Sequence, residues 1–388
     1  MNRRYGAVAR CVSVSVGALL LVFLPSVQRF VVALLVLLKL TAAPLPAAVE
    51  RAFLQPVAEQ ALTLRTSSAE VRARRYVPEG AAGQSAPKLL LLHGVHALGI
   101  DEPRLQALAR AFAQAGMDVL TPELTELTHY RVVPEAVSDI QQLARAWAAE
   151  THTRALGVVG ISFAGGLALM AAAAQGGTAP IGFVVSVGAH HDLTRVVEFY
   201  AGQDVRGPAG ERLAVAAHPY GPRVMLRGEL PSLFGAGDLA LATEALDSYL
   251  HDKPQAARKL ATGLSPEGRE VARVLLDTRG SEQLSRWLSD SARKQRPQLL
   301  AASPHDHLHG LSVPVLLLHG TDDPVVPCIE TRYLAREVPK PLLRDVLITD
   351  LLRHAELNQL PAPTQVYRFA RFIQRLLAVA RVTAHKQR

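Results

Sequence analysis

Strands alternating with helices from about residue 70 onward predict an α/β protein with a mostly parallel sheet flanked by helices. Three observations carry this expectation. Short, largely apolar runs such as Lys88–Leu92, Leu156–Gly160 and Val313–Leu318 read as strands buried on both faces. Amphipathic or small-residue helical stretches separate them. Residues 195–305 break the rhythm, reading as consecutive helices and hence as a helical cap inserted into the sheet domain, preceded in the chain by an N-terminal hydrophobic segment.

The elements follow in order. Residues 11–27 carry no charge and come after Arg3, Arg4 and Arg10; Arg29 interrupts, Phe30–Leu38 is wholly apolar, and Lys39 ends the stretch. A spanning helix needs about 20 apolar residues, with about 17 as the lower bound, so the first run just suffices. The expectation is a membrane-associated chain with a single-pass N-terminal anchor. A cleaved signal peptide and a two-helix hairpin are the alternatives. The arginine cluster favours a cytoplasmic N-terminus and a folded domain on the outer, periplasmic side.

Val71–Val77 alternates apolar and basic residues, as an exposed edge-type strand does, and a turn at Pro78-Glu79-Gly80 follows. Next come the buried strand Lys88–Leu92, a helix at Pro103–Ala115, a strand at Met117–Leu120 and a helix at Pro134–Ala149. A strand at Leu156–Gly160, a helix of small residues at Gly165–Ala174 and a strand at Phe183–Val187 complete the first half. The insertion reads as helices at Leu239–Leu250, Pro254–Leu260, Pro266–Leu276 and Glu282–Ala292. Strands at Val313–Leu318 and Leu343–Ile348 and an amphipathic helix at Thr364–Val382 close the chain. The organisation is a membrane segment (1–50), a core in two parts (66–194 and 306–388) and a cap (195–305).

Composition narrows the function classes. The 388 residues carry a net charge of +8, but residues 1–50 hold five basic residues against one acid, and residues 364–388 hold six basic residues and no acid. The body between is slightly acidic, which argues against a phosphate-binding surface and hence against nucleic acid. Two cysteines, Cys11 and Cys328, exclude a disulfide framework and a cysteine-based zinc site. No phosphate-binding loop motif and no G-x-G-x-x-G occurs.

The chemistry sits at strand ends. Gly160-Ile161-Ser162-Phe163-Ala164-Gly165 joins a strand to a helix, with small residues two before and two after the serine. A sharp turn of this kind exposes a serine Oγ and sets the following N–H groups at a helix N-terminus. His93-Gly94-Val95-His96 follows an earlier core strand, where a glycine lets a backbone N–H turn toward the serine and, with the Phe163 N–H, form an oxyanion hole. His93 itself reads as a structural hydrogen-bonder. His319-Gly320-Thr321-Asp322-Asp323-Pro324 supplies a carboxylate after a late strand, and His354 lies between the last strand and the last helix. Asp192 is a rival for the acid. His305-Asp306-His307-Leu308-His309 alternates histidines as metal ligands on a strand do, but lacks a carboxylate cluster and reads as a polar connector.

Taken together, LLLLHG at 89–94, VVGISFAGG at 158–166, PVLLLHGTDDPVVP at 314–327 and His354 resemble the α/β-hydrolase superfamily over about four fifths of the chain. The detailed run is similar to bacterial hydrolases near the dienelactone-hydrolase and carboxylesterase groups. The resemblance implies Ser162 as nucleophile, His354 as base, Asp323 as acid, and the Val95 and Phe163 N–H groups as oxyanion donors. It implies a serine hydrolase acting on a small-molecule ester-like or other acyl substrate, with no cofactor and no metal. An acyltransferase on the same triad, or a non-catalytic binding protein of the same fold, are the alternatives.

Overall fold

The computed structural model describes residues 24–41, 43–80, 85–174, 179–277, 281–353, 356–357 and 362–385. Eight strands form one sheet: β1 (Val57–Arg65), β2 (Glu70–Pro78), β3 (Lys88–Leu92), β4 (Asp118–Pro122), β5 (Leu156–Ile161), β6 (Ile181–Val187), β7 (Val315–Gly320) and β8 (Leu343–Thr349). Their order is β1-β2-β4-β3-β5-β6-β7-β8. β1 and β2 pair antiparallel, β2 and β4 antiparallel, and all remaining pairs are parallel.

The apolar strands alternate between two cores because helices cover both faces. In β3, Leu90 and Leu92 enter one core while Leu89 and Leu91 enter the other. On the second face lie α1 (Pro25–Leu40), α2 (Pro103–Gln114) and the final helix. On the first lie α3 (Glu135–Glu150), α4 (Phe163–Ala173) and the inserted helices. The insertion, between β6 and β7, contains α5 (Leu193–Tyr200), α6 (Tyr220–Leu226), α7 (Leu239–Leu250), α8 (Pro254–Ala261), α9 (Pro266–Leu276) and α10 (Glu282–Lys294), with short helices at Leu230–Leu233 and Arg296–Ala301. After β7 come α11 (Ile329–Glu337) and, last, α12 (Pro363–His385).

Two sequence expectations change. The basic strand at Val71–Val77 is not an edge: β1 covers it, and its arginines are paired, Arg75 with the buried Asp118 at 2.7 Å and Arg74 with the partly exposed Asp101 at 2.9 Å. β1 escaped notice because V-A-E-Q-A-L-T-L-R is rich in residues of low strand preference.

The second change concerns the membrane. Phe30–Leu38, the second apolar run of the N-terminal segment, lies in α1, which packs along α12 and α2. Ala33, Leu35, Val36 and Leu37 are buried, Gln374 on α12 donates to the Ser26 carbonyl at 2.6 Å, and Phe30 meets the Tyr367 ring. Sixteen helical residues reach only about 24 Å, short of the about 30 Å of a bilayer core. Among the described residues no helix is long and apolar enough to cross a membrane. The membrane anchor, the transmembrane helix and the periplasmic placement are corrected accordingly: this apolar helix completes the protein's own core. Residues 11–23 of the anticipated span lie outside the described residues.

Candidate active site at the carboxyl edge of the sheet

Register aligns the candidate residues along one sheet edge. Leu92 pairs with Gly160, Gly160 with Ser186, and Val187 with Leu318. The chain segments just beyond these positions therefore emerge side by side. They carry Val95, Ser162, Gly188 and Asp323.

Ser162 is held between β5 and α4 at φ 55°, ψ −132°. A non-glycine residue in such a region costs about 1–3 kcal/mol and persists only where its surroundings impose it. Here they do. The Ser162 N–H donates to the Val187 carbonyl at 2.7 Å, and its own carbonyl accepts from the Gly165 N–H at 2.9 Å. A side chain on Gly160 would sit 2.6 Å from the Gly165 Cα, and one on Gly165 2.8 Å from the Ser186 Oγ. The motif's small residues are thus required by close backbone approach. The side chain is nearly buried, at 4% exposure, and the Phe163 N–H opens helix α4.

The loop after β3 passes directly beside this serine. A Cβ on Gly94 would lie 3.2 Å from the Ser162 Cβ. Among the described residues the Val95 and Phe163 N–H groups have no backbone acceptor. His93 braces this loop: the Leu124 N–H donates to its Nε2 at 2.9 Å, so Nδ1 carries the proton and donates to the Gly94 carbonyl at 2.7 Å. Burial lowers its pKa and keeps it neutral, as a structural hydrogen-bonder.

Asp323 is buried at the end of β7. Its Oδ1 accepts from the Val325 and Val326 N–H groups at 2.8 and 2.9 Å, which fixes the carboxylate. Its Oδ2 faces Gly188 and lies 3.5 Å from the His319 Nε2. His319 is itself committed to Val326 and Thr331. Asp192 is occupied otherwise, capping α5 by accepting from the Thr194 N–H at 2.8 Å. His354 lies outside the described residues. The Leu352 carbonyl packs directly on Gly320, three residues before Asp323. Leu352–Arg353 pairs antiparallel with Glu356–Leu357.

Several residues near this edge carried no sequence signal, because their partners are remote in the chain. Tyr220, at the start of α6, donates to the Val95 carbonyl at 2.9 Å. The His218 N–H donates to the Pro324 carbonyl at 2.7 Å, and the Tyr200 hydroxyl to the Val325 carbonyl at 2.7 Å. The insertion thus grips both the Val95 loop and the Asp323 loop. His190 is fully buried beneath α4, its ring 5.4 Å from that of Phe163 and its Nε2 2.9 Å from the Ala302 carbonyl; burial lowers its pKa to about 4. A cavity of about 450 Å³ lies within the insertion, lined by Tyr200, Val205, Val215, Pro222, Arg223 and Leu284. Ser162 is not among its lining residues. The buried Arg223 guanidinium there donates to the carbonyls of Pro219, Leu275 and Asp277.

Solved structures of other proteins match this chain at low identity. An acylaminoacyl peptidase from Pyrococcus horikoshii is 13% identical with a TM-score of 0.48, over 84% of this chain and 41% of that one. An esterase from Pyrococcus furiosus is 13% identical with a TM-score of 0.46, over 82% and 91%. The 2-hydroxy-6-oxo-6-phenylhexa-2,4-dienoate hydrolase of Rhodococcus is 15% identical with a TM-score of 0.45, over 84% and 99%. The chain spans about 40% of the length of the acylaminoacyl peptidases it matches. No protein-family model and no curated protein matches the sequence.

Proposed function

We propose that the chain is a serine hydrolase that cleaves an ester-like or other acyl substrate through Ser162, His354 and Asp323. The observation that supports this most is Ser162 itself: a nearly buried serine at positive φ on a strand-to-helix turn, beside Gly94 and in line with a fixed carboxylate. In this reading His354 takes the proton from the Ser162 Oγ as the oxygen bonds to the substrate's carbonyl carbon. The Val95 and Phe163 N–H groups hold the resulting oxyanion. His354 returns the proton to the leaving group, and water repeats the sequence to release the acid. Asp323 holds the imidazole tautomer and stabilises its cation.

Residues 195–305 serve as a cap in this reading, supported by the hydrogen bonds from Tyr200, His218 and Tyr220 to the loops of the site. Ser162→Ala is expected to abolish turnover of a short-chain p-nitrophenyl ester and labelling by a fluorophosphonate. Unchanged labelling refutes the nucleophile assignment. Turnover that appears only on addition of an alcohol or amine acceptor favours acyl transfer over hydrolysis.

A further inference from the structure

The sequence offers alternating histidines at 305–309 with no carboxylate cluster beside them. The fold supplies the missing partners. His191 lies just after β6, where the insertion begins; His305 lies just before β7, where it ends; Glu337 is the last residue of α11. One ligand-type atom from each lies within 4.8 Å of the other two. We propose that His191, His305 and Glu337 bind a divalent transition-metal ion that staples together the two ends of the helical insertion.

The pieces are arranged for it. The His305 N–H donates to the His191 carbonyl at 3.0 Å, which fixes the two histidines side by side. Their rings are 5.0 Å apart. The His191 Nε2 is 2.6 Å from the Glu337 Oε2, and the His305 Nδ1 is 4.0 Å from the same oxygen. A tetrahedral ion with bonds of about 2.0–2.1 Å sets its donors about 3.3 Å apart, so each of these spacings must change by about 0.7 Å. The half-exposed His305 is the side chain best able to move. The Asp306 Oδ2 is 3.3 Å from the His305 Nε2, where its charge favours the proton on that nitrogen and leaves the Nδ1 lone pair for the ion. The other Glu337 oxygen, Oε1, accepts from the Leu308 N–H. Two imidazoles and one carboxylate suit zinc, nickel or copper rather than calcium or magnesium.

Arg195 is the competitor. Its Nη2 lies 3.0 Å from the His191 Nδ1, so without metal Nδ1 accepts and Nε2–H donates to Glu337. Metal at Nε2 moves that proton to Nδ1, and the guanidinium must turn from the ring. It keeps its pairing with the buried Glu330, which holds it at 2.6 Å and already balances its charge. Among the described residues, Glu337 forms ion pairs with no cation other than the two histidines.

The test uses the full chain after dialysis against a chelator, titrated with Zn2+ by calorimetry and with Co2+ by visible absorption. One saturable equivalent is expected, with a four-coordinate Co2+ spectrum and a rise in the thermal midpoint. His305→Ala is expected to weaken binding at least tenfold and to remove the thermal rise, and Asp306→Asn to weaken it less. His309→Ala, a control among neighbouring histidines, is expected to bind as wild type. Because His305 is half-exposed, its variant retains the fold even where Glu337→Gln does not. The absence of one-to-one binding, or binding unaltered in His305→Ala, overturns the proposal and leaves an ion-pair network only. Neither readout depends on esterase activity, so the proposed reaction stands or falls separately.

Discussion

His190 makes acid stability a sharp test of how α4 is packed. The imidazole sits wholly buried against Gly166 and Phe163, and burial pulls its pKa from 6.5 to about 4. The folded value lies below the unfolded one. Between pH 6.5 and 4 the unfolded chain therefore takes up a proton that the folded chain refuses, and stability falls as pH falls. A gap of about 2.5 pH at 1.36 kcal/mol each amounts to about 3 kcal/mol, present above about pH 6.5 and lost by about pH 4. Total stabilities of about 5–15 kcal/mol make this a large fraction. His190→Gln retains an amide donor for the Ala302 carbonyl and removes the titration. Urea unfolding of both proteins between about pH 7.5 and 4.5 isolates the effect, since every other group cancels in the difference. The wild type is expected to lose about 2–3 kcal/mol more than the variant across that range. Parallel pH dependences refute the reasoning.

Three further outcomes are expected. Gly160→Ala places a Cβ 2.6 Å from the Gly165 Cα, so the serine turn must shift; fluorophosphonate labelling is expected to fall to background, with about 1–3 kcal/mol of stability lost in calorimetry. Tyr220→Phe removes the donor to the Val95 carbonyl, a hydrogen bond worth about 1 kcal/mol, and is expected to lower kcat about fivefold with KM little changed. A chain beginning at residue 66 lacks α1 and β1, and with them the buried Val36, Leu37, Leu54 and Leu64. At about 1.5–3 kcal/mol each this removes about 6–12 kcal/mol, so cooperative thermal unfolding is expected to vanish.

The central strands β3, β5 and β7 are legible in sequence because burial on both faces leaves them largely apolar, as Leu89–Leu92 and Val315–Leu318 illustrate. The serine turn is legible because close packing permits only small residues at 160 and 165. β1 is not, since its pairing to β2 substitutes for strand preference. Nor is α1 legible as core: a helix that docks its apolar face on α12 and one that enters a bilayer carry the same residues, and only the partner distinguishes them. The meetings of Tyr220 with Val95, and of His191 with His305 and Glu337, join residues more than a hundred positions apart, which no local pattern encodes.

The placement of the insertion between adjacent strands bears on how the protein assembles. β6 and β7 pair directly, yet roughly 130 residues must fold between them before that pairing can close. Parallel pairings of such separation form late. β7 carries the Asp323 loop, whereas Ser162 belongs to the half formed earlier. During refolding, the fluorescence of Trp147, a buried residue of α3, would then recover before the proposed nucleophile Ser162 becomes reactive. Reactivity of that serine would thus report the completed chain, and a half-finished molecule would be chemically silent.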